Sequence, residues 1–403
     1  MQEHGIEPIV LTVDSKKAAY PAYDFSFLEK IKHVKVFRTS PGFNPLGFYS
    51  FLKTGNSKKN IPVGDVGGKK KSLLDKFSTF IRANFFIPDA RIGWNKHALK
   101  IAKKICEEEK VSWVITTGPP HSTHLIGLEI KKDFKLHWLA DFRDPWHDIY
   151  YNKIFNRTKR SNKKDLFLES EVLSKSDTLL TVGPSMRKLL ISKNEEIKDK
   201  CFFIYNGYDE GAFEEIKKNK YPEFTIAHIG VWTLQQPHQE IIESLHNITN
   251  AHKELKIRFV TAGNVNSEIL TQLEKIPNLI LDHKGKINHR EALQEMKNAD
   301  LLLNCLPLME NSELLISGKL MEYIASENPI LLIGNKEGDA AKLLENINCA
   351  NTLEPGEINK VEAKILELIF HYPKIQIKNP NISQYSRKET CKELVNLLNK
   401  RLI

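Results

Sequence analysis

The stretch "ISGKLMEYIA", residues 316–325, puts a serine, a glycine, a lysine and a glutamate at the head of an apolar helix. Ser317 and Gly318 would open that helix, where the first backbone N–H groups have no partner and favour an anion. Lys319 would add a point charge suited to a diphosphate. Glu322, one turn after Gly318, could accept hydrogen bonds from ribose or sugar hydroxyls. Leu320, Met321, Ile324 and Ala325 would face a core. The plainer alternative is a helix start with a solvated face.

Two more segments carry chemistry. "TTGPPHSTHL", residues 116–125, reads as a strand end, a turn and a helix start. Ser122 or Thr123 could cap that helix and leave room for an anion. His121 at its mouth is a candidate polar contact or proton carrier, as is His124. The alternative is a capping turn with two surface histidines. "ADFRDPWHD", residues 140–148, gathers Asp141, Arg143 and Asp144 beside Trp146. That set could orient a sugar hydroxyl or a leaving phosphate, or close on itself as a salt-bridge cluster.

The elements that must position these residues alternate. "EPIVLTV" and "HVKVFR" read as strands, and a helical stretch follows, "LLDKFSTFIRANFF". From Trp94 the pattern is helix, strand "VSWVITT", helix, strand "LHWLADF", helix at about 163–174, strand "DTLLTVG", helix, strand "CFFIYNG". It restarts after Asp209 with "FTIAHIG", "KIRFVTAG", "LILDHKG", "ADLLLNCLP" and "NPILLIG", with helices between them, and ends on the amphipathic helix "SRKETCKELVNLLNKRL". Such alternation implies right-handed crossovers and parallel sheets. The expected architecture is α/β, with two doubly wound Rossmann-like domains over 1–208 and 209–380 and a closing helix over 381–403. Ligands of open parallel sheets bind beyond the carboxyl ends of the strands, which selects the same loops, together with Asn206 and Gly230.

Composition narrows the classes. With 403 residues, two domains are expected. Hydrophobic residues make up 41% and charged residues 27%, a soluble globular balance without a bilayer-spanning run. Neither a secretory leader nor a CxxC pair is evident, and the five cysteines are widely spaced, which suits reduced thiols in the cytoplasm. The sequons at Asn156, Asn247 and Asn381 then read as chance. The formal charge of +9 attracts phosphorylated molecules, anionic lipid or nucleic acid alike. Lys69, Lys70 and Lys71, then Lys153, Arg157, Lys159, Arg160, Lys163 and Lys164, crowd the first half, near apolar segments. That suits a peripheral contact with an anionic membrane face. Nothing beyond charge supports a nucleic-acid role. "GDVGGKKKS" is no phosphate loop, because from Gly64 the second glycine position falls on Lys69. Residues 41–72 read as a long linker.

Together, "ITTGPPHSTHLIGLEIKKDFKLHWLADFRDPW", "NGYDEGAF", "FTIAHIGVW" and "SGKLMEYIASENPILLIGNKEGDAAKLL" resemble the bacterial glycosyltransferase family 4-like proteins of GT-B architecture, from about Phe86 onward. The resemblance implies two Rossmann-like domains facing across a cleft, with a nucleotide-diphosphate sugar held mostly by the C-terminal one. It implies transfer of a hexose to a cell-surface glycan, polysaccharide or lipid-linked acceptor, with retention and no obligatory metal or other cofactor. Residue by residue, Glu322 matches the ribose-binding glutamate, Lys319 a basic residue near the phosphates, and Gly230 the glycine of the first donor-side loop. Ser317 and Gly318 belong to the same donor segment. His121, Asp141 and Asp144 match polar positions on the acceptor side, where Arg143 and Asn206 also fall; His121 and Asp144 are the catalytic candidates.

Three departures stand out. Leu314 occupies the place of a second family glutamate, with Glu313 one position off. The loop after Gly230, "VWTLQQP", lacks a basic residue, and only Gln235 or Gln236 could donate there. The family's opening strand and glycine-rich turn have no counterpart before "MQEHGIEPIVLTV", which raises the expectation of a truncated reading frame and exposed sheet edges. A non-catalytic partner-binding subunit and a nucleotide-sugar epimerase are the alternatives to a transferase.

Overall fold

The computed structural model describes residues 1–18, 28, 31–42, 73–149, 152, 157–348, 350–371 and 382–402. The 41–72 linker with its lysine run lies outside them except for Pro41 and Gly42, as do Lys153 and residues 372–381. The chain forms two compact units, one of Met1–Ile204 with Val395–Ile403, the other of Tyr205–Leu394.

In the first unit, β1 (Ile9–Val13) pairs in parallel with β2 (Lys35–Thr39). Helices α1 (Leu73–Phe85) and α2 (Asn95–Glu109) follow. Then β3 (Trp113–Gly118), α3 (Ser122–Asp133), β4 (His137–Phe142), α4 (Lys159–Lys175), β5 (Thr178–Thr181), α5 (Pro184–Lys193) and β6 (Cys201–Phe203) build a four-stranded sheet in chain order. All its pairings are parallel, as continuous apolar runs such as "DTLLTV" demand when both faces are covered. Helix α3 lies tight on β4. Gly127 is there because a Cβ would stand 2.2 Å from Trp138 Nε1. That indole, fully buried, donates to Thr116 Oγ1 at 2.8 Å.

The second unit holds α6 (Gly211–Glu214), β7 (Phe224–Ile229), α7 (Gln239–Ala251), β8 (Ile257–Ala262), α8 (Ser267–Glu274), β9 (Leu279–His283), α9 (His289–Asn298), β10 (Leu301–Cys305), α10 (Gly318–Ser326), β11 (Ile330–Ile333), α11 (Asp339–Asn346), β12 (Ala350–Leu353) and α12 (Ile358–His371). Its strand order is β12-β11-β10-β7-β8-β9, all parallel. Renumbered within the unit this is the doubly wound 3-2-1-4-5-6 order, whose direction reverses between β7 and β10. Alternate residues feed two cores. Ala227, Ile229 and Leu302 pack with α10 and α11 on one face. Ile226, Leu301 and Leu303 pack with α7 and α12 on the other. Strand β12, with the sequence "ANTL", escapes a periodicity reading because four residues at a sheet edge carry no apolar run.

The last helix, α13 (Arg387–Leu402), contributes its first residues to the second unit and those from Val395 to the first. In the first unit the Arg401 guanidinium lies 5.1 Å from the centre of the Phe202 ring and donates to the Asp199 carbonyl.

Gly127→Ala should cost about 2–3 kcal/mol, because a methyl in a full core displaces the buried indole. Thermal unfolding of the variant, with Trp138 fluorescence as reporter, measures it; an unchanged melting temperature would contradict the packing.

Candidate functional site

The reversal point of the second sheet is where the chemistry collects. Strand β7 runs into Gly230 and β8 into Gly263. Both adopt left-handed backbone, with φ of 121° and 106°. A Cβ on Gly263 would lie 2.5 Å from the Gly230 carbonyl oxygen, and one on Gly230 would meet Lys319 Cδ at 3.5 Å. Only glycine allows this approach at both places.

Lys319 reaches back from α10 to the end of β7, where its Nζ donates to His228 Nε2 at 2.9 Å. His228 is fully buried and stacks on Trp232, with ring centres 4.6 Å apart. Burial holds the imidazole neutral, far below its ordinary range, and the Lys319 charge adds to that effect. Burial also pulls Lys319 down to about 8, with Cys305 a minor opposing influence. The acceptor of this ammonium is therefore an uncharged ring, and among the described residues Lys319 has no ion-pair partner.

Helix α10 starts open. Ser317 is its N-cap without a side-chain cap on the first amides, and a Cβ on Gly318 would point into empty space. Ser317 Oγ instead donates to Asn304 Oδ1 at 3.3 Å. Tyr323 fixes the helix to the strands: its hydroxyl accepts from Ile229 N at 2.9 Å and donates to the Leu303 carbonyl at 3.3 Å. Two buried donors nearby, His228 Nδ1 and Asn304 Nδ2, have no hydrogen-bond partner among the described residues. Unsatisfied buried groups of this kind mark a place for a ligand or water. Glu322 points to another partner, with its Oε1 2.7 Å from His289 Nε2 at the start of α9.

Gly230, Ser317, Gly318 and Lys319 thus meet at one strand-end crevice, and Glu322 lies one turn along the same helix. His228, Asn304 and His289 complete the group. The signal for His228 and Asn304 in the sequence was a polar residue near the end of an apolar strand, in "FTIAHIG" and "LLLNCLP"; His289, at a helix start, had none. Gln236 does not serve as a free donor. Its Oε1 accepts from Thr233 N at 2.9 Å and its Nε2 donates to the Cys305 carbonyl at 2.9 Å, so it braces the loop. Asn206 lies in the second unit, just before Gly207 and Tyr208. These are fastened to Tyr385 and Arg387, for example by Arg387 N donating to the Tyr208 carbonyl at 2.8 Å.

In the first unit, the expected anion position at the head of α3 is already filled. The Asp89 carboxylate accepts from Ser122 N at 2.8 Å and from Ser122 Oγ at 2.9 Å. Thr123 N and His124 N return to the carbonyls of Pro120 and His121. Neither Ser122 nor Thr123 caps the helix, because a carboxylate 33 residues upstream does so. His121 and His124 are buried rather than surface residues. His121 stacks on Trp146 with centres 5.1 Å apart, and His124 on Phe142 at 4.6 Å. Burial lowers His121 to about 4, against a weaker pull from the Pro145 carbonyl and Asp165, and it lowers His124 still more. Both are neutral at physiological pH.

Asp141 is buried at the end of β4. Its Oδ2 accepts from Thr117 Oγ1 at 2.9 Å and lies 3.6 Å from Arg143 Nη1. Burial raises its carboxyl, and the Arg143 charge offsets part of that. Asp144 is exposed on the following turn. A cavity of about 110 Å³ in the same unit is lined by Pro119, Pro120, His121, Trp146, Asn152 and Arg157 among others, and by neither Asp141 nor Asp144. Arg157 and the Trp146 indole both donate to the buried Asp165. No group of histidine, cysteine and carboxylate side chains suited to a metal occurs among the described residues.

Sequence comparison finds no match, either to a protein-family profile or to a curated protein. Solved structures do match over the whole chain. A glycosyltransferase from Rickettsia africae superposes with a TM-score of 0.61 at 13% identity, covering 98% of each chain. Alr3699/HepE from Anabaena, in complex with UDP-glucose, gives 0.58 at 12% identity over 97% of this chain and 99% of that one. A candidate UDP-N-acetylglucosamine 2-epimerase from Listeria monocytogenes gives 0.53 at 9% identity, over 98% and 97%. The fold is GT-B. At such identities the likeness extends to the fold and no further.

Because Lys319 loses its charge at lower pH in the folded chain than in the unfolded one, the unfolded state binds more protons between about pH 8 and 10.5. Its cost to stability is therefore full below pH 8 and fades as the pH rises through that window. Lys319→Met should stabilise the protein by about 1–2 kcal/mol at pH 7, after allowing for the His228 acceptor it leaves behind. The gain should shrink toward pH 10. Chemical denaturation of both proteins across this range tests it. For the buried histidines the sign is the same, with the unfolded state binding more protons below pH 6.5, so stability should fall on acidification from there toward pH 4. His121→Phe should flatten that fall in an acid-unfolding series.

Proposed function

We propose that the protein is a glycosyltransferase of the family 4-like type that takes a hexose from a nucleotide-diphosphate donor. One observation carries this: an uncapped helix N-terminus and an ammonium without a carboxylate partner converge at the reversal point of a doubly wound sheet. Those are the requirements for a diphosphate, which presents two or more charges to amides and a cation. Lys319 and the Gly318 and Lys319 amides would take the phosphates. Gly230 would let the chain approach them, and Ser317 would hydrogen-bond nearby. Glu322, oriented by His289, would accept from the ribose.

On the retaining route the acceptor hydroxyl attacks the face from which the diphosphate leaves. The bond from the anomeric carbon to the phosphate oxygen breaks as the new glycosidic bond forms, and the acceptor proton passes to the departing phosphate oxygen. No protein base is then required, which accords with a His121 that stays neutral and acts through hydrogen bonding. Asp141, held by Thr117 and Arg143, and the exposed Asp144 would meet acceptor hydroxyls. No metal or cofactor enters this scheme. The acceptor would be a cell-surface glycan, polysaccharide or lipid-linked sugar, and the enzyme would work at the cytoplasmic face of the membrane. A solved structure of the same fold holds UDP-glucose, which makes UDP the first nucleotide to test.

Calorimetry with UDP and GDP, followed by a nucleotide-release assay over a panel of nucleotide sugars, tests this. Glu322→Ala should weaken nucleotide binding about tenfold to a hundredfold, and Lys319→Met should abolish it. Affinity in the wild type should be level below pH 8 and fall by up to tenfold per pH unit above it, as Lys319 loses its proton. Release of nucleotide only when an acceptor is present marks a transferase. Conversion of the donor to an epimer without acceptor would mark the epimerase reading instead. Binding of neither nucleotide would leave a non-catalytic subunit.

A further inference from the structure

Helix α4 carries its charges at the wrong end for its own stability. Lys159, Arg160, Lys163 and Lys164 fill its first turn and a half, next to the positive end of the helix dipole, and its first turn holds no acidic residue. All four are exposed, and none makes an ion pair or side-chain hydrogen bond among the described residues. The nearest carboxylate, Asp165, is buried and engaged by Arg157, Trp146 and His147. Several other lysines of this unit are matched, among them Lys103 to Asp133, Lys132 to Glu129, Lys175 to Glu171 and Lys193 to Glu169.

Large apolar side chains stand exposed beside these cations. Leu166 is 45% and Phe167 60% exposed, three and four residues beyond Lys163 and so on its side of the helix. The end of α1 is fastened to the start of α4, with Thr158 N donating to Asn84 Oδ1 at 2.6 Å and Ser161 Oγ to the Asn84 carbonyl at 3.2 Å. That brings Phe85, 73% exposed, and Phe80, 41% exposed, to the same corner. Unpaired cations flanking exposed aromatic and aliphatic groups form the composition that seats a protein in the headgroup layer of an anionic bilayer.

We propose that the corner formed by the start of α4 and the end of α1 binds a membrane surface carrying anionic lipid. The four cations meet the headgroups, while Phe85, Leu166 and Phe167 enter the boundary with the acyl chains. No helix among the described residues is long and apolar enough to cross a membrane, so this corner makes a peripheral attachment. The proposal extends the reading of a transferase working at a membrane face, but it rests on other residues, and vesicle binding and nucleotide binding can fail separately. A nucleic acid would also attract the cations but would leave the aliphatic Leu166 without a role.

The test is sedimentation of the full-length protein with vesicles of phosphatidylcholine, alone or mixed with phosphatidylglycerol, at low and high salt. The wild type should sediment with the anionic vesicles only. Lys163→Glu with Lys164→Glu should weaken this at least tenfold, each cation counting for roughly fivefold at the surface. Phe85→Ser with Phe167→Ser should abolish the fraction that survives high salt. Lys253→Glu with Lys256→Glu, the same charge change on exposed residues of the other unit, should leave binding intact. Thermal unfolding confirms that each variant is folded, and these exposed sites should tolerate the changes. Absence of vesicle binding by the wild type, equal binding by the charge-reversed variant, or tighter binding to a duplex oligonucleotide through the same lysines would each overturn the proposal.

Discussion

An ammonium held by a neutral imidazole, Lys319 on His228, is the constraint around which the second unit is arranged. A buried cation ordinarily finds a carboxylate or loses its proton. Here the acceptor is a ring that burial keeps uncharged, so the cation is positioned without being neutralised. Other features follow from that placement. Gly230 and Gly263 must be glycines, because the strand ends crowd one another and the lysine stem. Tyr323 must reach from α10 to both β7 and β10, or the helix could turn its lysine away. The reversal of strand order between β7 and β10 supplies the space, since the helices that follow those strands leave toward opposite faces.

The two units use the same strand–turn–helix grammar and give opposite electrostatic results. After β3 the turn Gly118-Pro119-Pro120 delivers α3 onto Asp89, whose carboxylate saturates the helix head from within the chain. After β10 the chain returns through Ser317 and Gly318, and no N-cap side chain bonds to the first amides of α10 among the described residues. The dipole and the unpaired N–H groups are equal in kind at both places. What differs is whether a side chain from elsewhere already occupies the position. A helix N-terminus is thus a site only where the fold leaves it open, and the first unit instead keeps its polar groups in an aromatic stack of His121, Trp146, His124 and Phe142.

Local pattern carried most of the fold. Strands such as "FTIAHI" and "ILLI" and the alternation with helices were legible because parallel strands covered on both faces need unbroken apolar runs. The GT-B class was implied by the resemblance that four ordered motifs carry, and solved structures of that fold match the chain. Strand β12 was not legible, since "ANTL" at an edge satisfies no period. In the site, Ser317, Gly318, Lys319 and Glu322 were readable as neighbours on one helix, where spacing fixes proximity. Asp89 over Ser122 and His228 under Lys319 were not, being 33 and 91 residues apart. Distance along the chain says nothing about such pairs until the crossovers are known. The same reason misplaced Gln236, which looks free in "VWTLQQP" but is bound at both ends of its amide.

One principle connects the crevice and the α4 corner. Many lysines of the described surface are matched to carboxylates, often one turn away on the same helix, where each pair adds a few tenths of a kcal/mol. Lys319 and the four cations of α4 are unmatched in places where that destabilises the free protein: a low-dielectric strand end in one case, the positive end of a helix dipole in the other. A sequence under selection for stability alone would place a glutamate in the first turn of α4 and a methionine at Lys319. Under the two proposals, an anion supplied from outside would offset the cost of charges kept against their own local energetics. The two proposals then call for different anions: open amides beside one buried ammonium would suit a compact diphosphate, and an exposed corner with aromatic rings would suit an extended layer of headgroups.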